Sequence, residues 1–265
     1  MPKEAQQRLE RAKELSTLGD YPAAQAEIDS VRAHFPRNPA ALKEALELMR
    51  EVELKACRRN IAFCDSLLPL RKAAAAEALK GFVLEKDTQY AQLGNYVWKR
   101  LTVERNIERC YLRCGTDENG EMYLASVYYG KKPIKHTGLR LSLGGKEGLF
   151  VQTASIPYDG GLNFRFKDEG YTSEIVTYKG NAGKDAIKFI YDHAKERIKA
   201  EYTGGRPYTI WVDEASKQGV AATYALAAAL SDVHNLTLEL ARNGKRITYL
   251  EGKLSADSAK AKVTP

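Results

Sequence analysis

A chain of 265 residues can bury a substantial core and suits one large domain or two modest ones. Its 44% apolar and 28% charged content is that of a soluble globular protein, and no apolar run approaches the ~18 residues a membrane helix needs. The net charge of +7 is spread thinly along the chain with no basic block, which weakens a nucleic-acid reading.

The first residues, Met1-Pro2-Lys3-Glu4-Ala5-Gln6-Gln7-Arg8, are polar and lack an apolar leader core, so the expected location is cytoplasmic. Residues 3–17 carry Ala5, Leu9, Ala12 and Leu15 at helical spacing. Gly19 suits the end of that helix, Asp20 the cap of the next, and Pro22 its first turn. Ala23, Ala24, Ala26, Ile28 and Val31 then predict a second helix. Asn38-Pro39 opens a third.

The run Leu18-Gly19-Asp20-Tyr21, the small residues Ala23, Ala24 and Ala26, then Phe35-Pro36 and Asn38-Pro39 resemble one tetratricopeptide helix pair and its exit. The resemblance covers residues 5–40. No second copy is visible, and the Trp usual early in the motif is absent. A single repeat cannot bury its own face, so it implies a helical hairpin docked on the helices next in the chain.

The third helix carries two apolar stripes, Leu42, Ala45, Met49, Val52 and then Leu54, Cys57, Ile61, Cys64, Leu68. Two stripes predict two partners. Pro69 predicts a break or kink near 66–69, and residues 70–93 resume as a helix that Gly94-Asn95 ends.

From Tyr96 the pattern turns to period two. Short strands are expected around Thr102-Val103, Cys110–Leu112, Tyr123–Ala125, Leu139–Leu141, Leu149–Val151, Phe164–Phe166, Ile175–Tyr178 and Tyr208–Val212. The strongest hairpin signal is Asp117-Glu118-Asn119-Gly120-Glu121. Asn-Gly favours a two-residue type I′ turn. That turn pairs Cys114 with Ala125, Leu112 with Val127, and Cys110 with Tyr129. It places Tyr111, Arg113, Ser126 and Tyr128 together on the opposite face. Residues 182–200 return to helical spacing.

The last long element carries Leu226, Ala229, Val233, Leu236, Leu240, Asn243, Ile247, Leu250 and Leu254, a heptad seam that needs a partner helix. The third helix is the expected partner within the chain. Asp213 or Ser216 caps the start. Asn243 either fixes register or, with Gly244, ends the helix.

The fold class expected is α+β. The N-terminal helical hairpin and long helices fill 1–94, and an antiparallel β domain with one helix fills 95–213. A coiled-coil helix over 214–254 packs back on 40–90, and 255–265 form a frayed tail. Arg59-Asn60-Ile61-Ala62-Phe63-Cys64-Asp65-Ser66-Leu67-Leu68, Leu112-Arg113 with Asp117-Glu118-Asn119-Gly120, Ser126-Val127-Tyr128, and Arg246–Leu254 resemble an uncharacterised protein family of the Bacteroides group. That resemblance implies a bacterial protein of this layout and carries no assigned activity or catalytic residue.

Chemistry-bearing patterns are few. Cys57 and Cys64, and Cys110 and Cys114, have neither disulfide reach nor C-x-x-C spacing, and read as free thiols in a reducing compartment. Gly180-Asn181-Ala182-Gly183-Lys184-Asp185 lies between a strand and a helix but lacks the P-loop spacing and its hydroxyl. Leu143-Gly144-Gly145-Lys146-Glu147-Gly148-Leu149 reads as a hairpin loop. His34, His136, His193 and His234 stand apart, and no Gly-x-Ser-x-Gly elbow exists. No catalytic, cofactor-binding or metal-ligating residue is assigned, and no cofactor is expected.

Eleven of the fifteen tyrosines fall between Tyr96 and Tyr208. Tyr111, Arg113 and Tyr128 form the candidate interaction surface, since tyrosine beside arginine suits contact with protein, bases or sugars. The function expected is a non-enzymatic protein-protein interaction or scaffold role with a protein partner. The alternatives are a nucleic-acid-associated protein using a basic Tyr-rich β face, and an enzyme whose site is assembled from separate elements. The oligomeric state expected is a monomer or a coiled-coil dimer.

Overall fold

The computed structural model describes residues 1–86, 92–144 and 148–263, with side chains to residue 256. The fold is α+β, with five α-helices and two antiparallel sheets among the described residues. The chain divides into two compact units, one of Met1–Pro69 with Asn235–Pro265, the other Leu70–His234.

The first unit begins with α1 (Lys3–Thr17) and α2 (Tyr21–His34). Gly19, at φ +81°, reverses the chain after α1. Its N–H donates to Ser16 O and that of Asp20 to Leu15 O, a Schellman ending that L side chains resist. Asp20 then caps α2 through Ala23 N–H, and Asn38 caps α3 (Pro39–Leu79) through Ala41 N–H. Ala5, Leu9 and Ala12 of α1, Ala24, Ile28 and Val31 of α2, and Ala41, Ala45, Leu48 and Val52 of α3 share one core. The small residues let the three helices approach closely.

The seam on α5 (Glu214–Val263) is buried or half-buried at every position from Leu226 to Leu254. Within the first unit α5 runs against α3. Arg246 pairs with Glu53, Arg58 with Glu251 at 2.8 Å, and Asn60 Nδ2 donates to Glu239. Two expectations are corrected along these helices. Of the break or kink expected at Pro69, the break does not occur: α3 continues through it to Leu79. The tail after Leu254 continues as helix to Val263. Asn243 also stays helical, its Nδ2 donating back to Glu239 O at 2.8 Å.

The second unit holds both sheets. The larger has the order β1 (Phe82–Glu85), β2 (Asn95–Trp98), β3 (Tyr111–Asp117), β4 (Met122–Gly130), β8 (Tyr171–Lys179), β7 (Asn163–Asp168). The smaller runs β10 (Tyr208–Trp211), β9 (Ile198–Thr203), β5 (Gly138–Leu143), β6 (Phe150–Gln152). Alternate residues of both sheets, Leu112, Leu124, Val176 and Tyr178 from one, Leu139, Leu141, Ile198 and Tyr202 from the other, meet in one core. Helix α4 (Lys184–Asp192) adds Ala186, Ile187, Phe189 and Ile190. Asp213 caps α5 through Ser216 N–H at 2.6 Å.

Three strand expectations change. The helix expected over 70–93 ends at Leu79, and Phe82-Val83-Leu84-Glu85 pairs with β2 instead, as its β-branched and aromatic content favours. The helix expected over 182–200 ends at Asp192, and Ile198, Ala200 and Tyr202 enter the core with strand period. Thr102-Val103 lies among short 3₁₀ turns. Of the glycine-rich loop, residues 145–147 lie outside the described residues, while β5 and β6 on either side pair as a hairpin.

The register of β3 and β4 is displaced by one residue from expectation. Leu112 pairs with Ser126 and Cys114 with Leu124. The turn is a three-residue loop, in which Gly120 N–H donates to Asp117 O and Asp117 N–H to Glu121 O. The Asp117 carboxylate also accepts from Asn119 and Glu121 N–H, which stabilises a turn centred on Glu118-Asn119 with Gly120 left-handed at φ +89°. The extra loop residue exchanges the faces of β4 relative to β3.

Candidate functional site

That exchange separates the candidate surface residues. Tyr128 points into the core, where its hydroxyl donates to Lys132 O at 2.7 Å and its ring meets Tyr208 edge-on. Tyr111 and Arg113 share the outer face of the six-stranded sheet. Both tyrosines are buried, so the exposed Tyr111–Arg113–Tyr128 surface expected from the sequence does not form.

Tyr111 and Arg113 nevertheless border a shallow groove of about 170 Å³ on that outer face. Its floor includes Val127 and Ile175, neighbours across β4 and β8. Tyr129 and Tyr171 stack with ring centres 4.9 Å apart and planes 3° apart. The rim carries Phe166, 50% exposed, and Ile107, 67% exposed.

The cations beside the groove are paired. Arg109 bridges to Asp213 at 2.5 Å and lies over the Tyr111 ring, while Arg113 pairs with Glu85 across the sheet. Burial pushes the Tyr111 hydroxyl above its ordinary value, and that of nearby Tyr123 up to about 12. Both stay protonated at neutral pH.

A second cluster lies inside the second unit, and sequence reasoning missed it. Ser126 Oγ is 2.9 Å from His136 Nε2, and His136 Nδ1 is 3.0 Å from Glu174 Oε2. Tyr178 OH lies 3.1 Å from Ser126 Oγ. The Glu174 carboxylate favours the imidazole tautomer with its proton on Nδ1, leaving Nε2 to accept from the serine. This is the order of nucleophile, base and orienting acid found in hydrolytic triads. Here, however, Ser126, His136 and Glu174 are all fully buried, and none borders a described groove. The Ser126 hydroxyl is closed off from solvent. No spacing in the chain announces the trio, because β4, the 131–137 connection and β8 supply one residue each.

The cluster has a structural task. Glu174 also accepts the N–H groups of Ile134 at 2.7 Å, Lys135 at 2.8 Å and His136 at 3.1 Å. Lys135, at φ +56°, turns these amides toward one carboxylate. Burial alone would raise the Glu174 carboxyl. The His136 imidazole and the backbone amides outweigh it and hold the group below its ordinary value. Arg165 Nε stands 3.8 Å away on the other side. The connection between the two sheets is thereby pinned to β8.

The largest of the described grooves, about 590 Å³, lies between the β3–β4 turn, the stretch Gly180–Lys184 and α5 at Tyr224 and Ala227. Its wall is mostly apolar. Its charged groups are Glu121, Lys184 and Lys188, the last held by Asp192 at 2.6 Å. Among the described residues no three His, Cys, Asp or Glu side chains cluster as a metal ion would require, and no helix is long and apolar enough to cross a membrane. No protein-family model, no curated protein and no solved structure matches the chain.

Proposed function

We propose that this chain is a non-enzymatic interaction protein that receives a protein partner in the aromatic groove on the outer face of its six-stranded sheet. The observation that carries the reading is the open apolar rim of Phe166 and Ile107 around the stacked Tyr129–Tyr171 pair. Tyrosine and phenylalanine bury large area at small conformational cost, as anchor residues of protein interfaces do. The sealing of Ser126, His136 and Glu174 supports binding over catalysis.

The helical unit is the platform in this reading. Its first two helices, with their tetratricopeptide-like pattern over 5–40, stay with α3 and do not begin a longer array. Within that unit the seam on α5 faces α3 of the same chain, which favours a monomer over a coiled-coil dimer. Four unpaired thiols suit a reducing, cytoplasmic setting.

The test is affinity capture from native lysate with the wild-type chain and with a Phe166→Asp, Ile107→Asp variant. A protein recovered by the first and lost by the second, at unchanged circular dichroism, supports the reading. Identical recovery by both, or recovery by neither, defeats it.

A further inference from the structure

The four-stranded sheet also has an outer face, and its side chains are of a different kind. Across the strands, Trp211 of β10 pairs with Lys199 of β9, Lys199 with Ser142 of β5, and Ser142 with Phe150 of β6. Directly opposed residues share a face, and the neighbours of these in sequence, Leu141, Ala200 and Ile210, turn into the core. Trp211 and Phe150 therefore stand at the two ends of one row on the outside. They are 49% and 50% exposed, and about 14 Å apart by the strand spacing.

Each aromatic ring carries an arginine. Arg197 lies 4.2 Å from the Trp211 ring centre and Arg140 lies 4.1 Å from that of Phe150. Glu201 in the next row accepts from Lys199 at 2.7 Å and pairs with Arg140 at 4.0 Å. Among the described residues of this row and the next, three cations thus stand against one carboxylate, and positive charge is in excess between the two rings. Gly144 lets the indole lie flat here, since a Cβ at that position would come within 3.1 Å of Trp211.

We infer that this face binds single-stranded nucleic acid. Exposed aromatic and guanidinium planes stack on unpaired bases, and the cations between them follow a phosphate backbone. A duplex hides its bases in its own stack and offers the rings nothing. A protein-docking face would be depleted of charge at its centre, whereas Lys199 and Arg140 stand at the centre of this one.

The test is fluorescence anisotropy with a fluorescein-labelled oligouridine of about 12 nucleotides, within the site size of such surfaces. The expected result is saturable binding that weakens as salt rises and is absent for a duplex of the same length. Phe150→Ala and Trp211→Ala each weaken it by about fivefold or more. Arg140→Gln and Lys199→Gln, both at half-buried positions on the face, weaken it and flatten its salt dependence should an aromatic variant fail to fold. Absence of saturable binding, equal affinity for the duplex, or wild-type affinity in folded variants overturns the inference. So does an equal loss in Phe166→Asp, which lies on the other sheet.

Discussion

Glu174 and His136 are joined twice through one oxygen: Glu174 Oε2 accepts the His136 backbone N–H at 3.1 Å and faces its imidazole Nδ1 at 3.0 Å. Both side chains are fully buried. A glutamine keeps one acceptor oxygen but sets an NH2 donor against either the Ile134 and Lys135 amides or the His136 N–H and imidazole, in a dry interior. Glu174→Gln is expected to cost about 1–3 kcal/mol through the buried donors left unsatisfied, seen as a lower urea midpoint.

The same group sets an acid limit. Its carboxyl titrates lower in the folded chain than in the unfolded one, so the unfolded state binds its proton first as pH falls. Its contribution to stability is complete above the unfolded value of about 4.3 and disappears as pH drops through the lower folded value. Thermal melts at falling pH should show a steeper loss of stability below about pH 4.3 in the wild type than in Glu174→Gln. Parallel curves would show that another group governs acid unfolding.

Ser126 is expected to be inert toward serine-directed reagents. A fluorophosphonate probe should leave the native protein unlabelled, because the hydroxyl lies between His136 and Tyr178 with no opening to solvent. Labelling of the folded protein at Ser126 would restore the enzyme reading. Ser126→Ala should cost about 1–3 kcal/mol through the hydrogen bonds left unmade.

Gly120 should tolerate no side chain. It is left-handed, and a Cβ there would stand 2.4 Å from Ala227 O and 2.6 Å from Ser231 N. Both contacts are backbone, so neither can swing away. Gly120→Ala is expected to destabilise by more than ~1 kcal/mol, whereas Gly170→Ala, strained but in open space, loses less. Chemical denaturation of the two variants gives the comparison.

Leu236→Asp should melt the helical unit. Leu236 is half-buried on the seam, while Leu238, two residues on, is largely exposed. A lower thermal midpoint for Leu236→Asp at unchanged mass by light scattering is expected, with Leu238→Asp near wild type. Unchanged melting with altered mass would assign the seam to a dimer.

The helices and most strands were legible because their apolar period is local: Leu9, Ile28 and Leu250 announce their own burial. The β3–β4 faces were not, although the turn itself was found. Asn119-Gly120 is a turn signal in either loop, and the Asp117 carboxylate that favours the longer one acts through hydrogen bonds that periodicity does not display. The apolar spacing of Ile198 misled for a related reason, since local preference yields to packing against distant residues. The Ser126–His136–Glu174 contacts are long-range in sequence and leave no pattern at all. The groove around Phe166 needs β7 placed beside β8, which no spacing supplies.

The three amides of residues 134–136 have the bonding of a strand without its geometry. Hydrogen exchange would therefore sort them with the core and not with the surface loops. A carboxylate 40 residues along the chain from Ile134 makes a connection between sheets behave as part of the interior. Such a segment opens only when its anchor lets go, so its exchange rate reports on the joint between the two sheets.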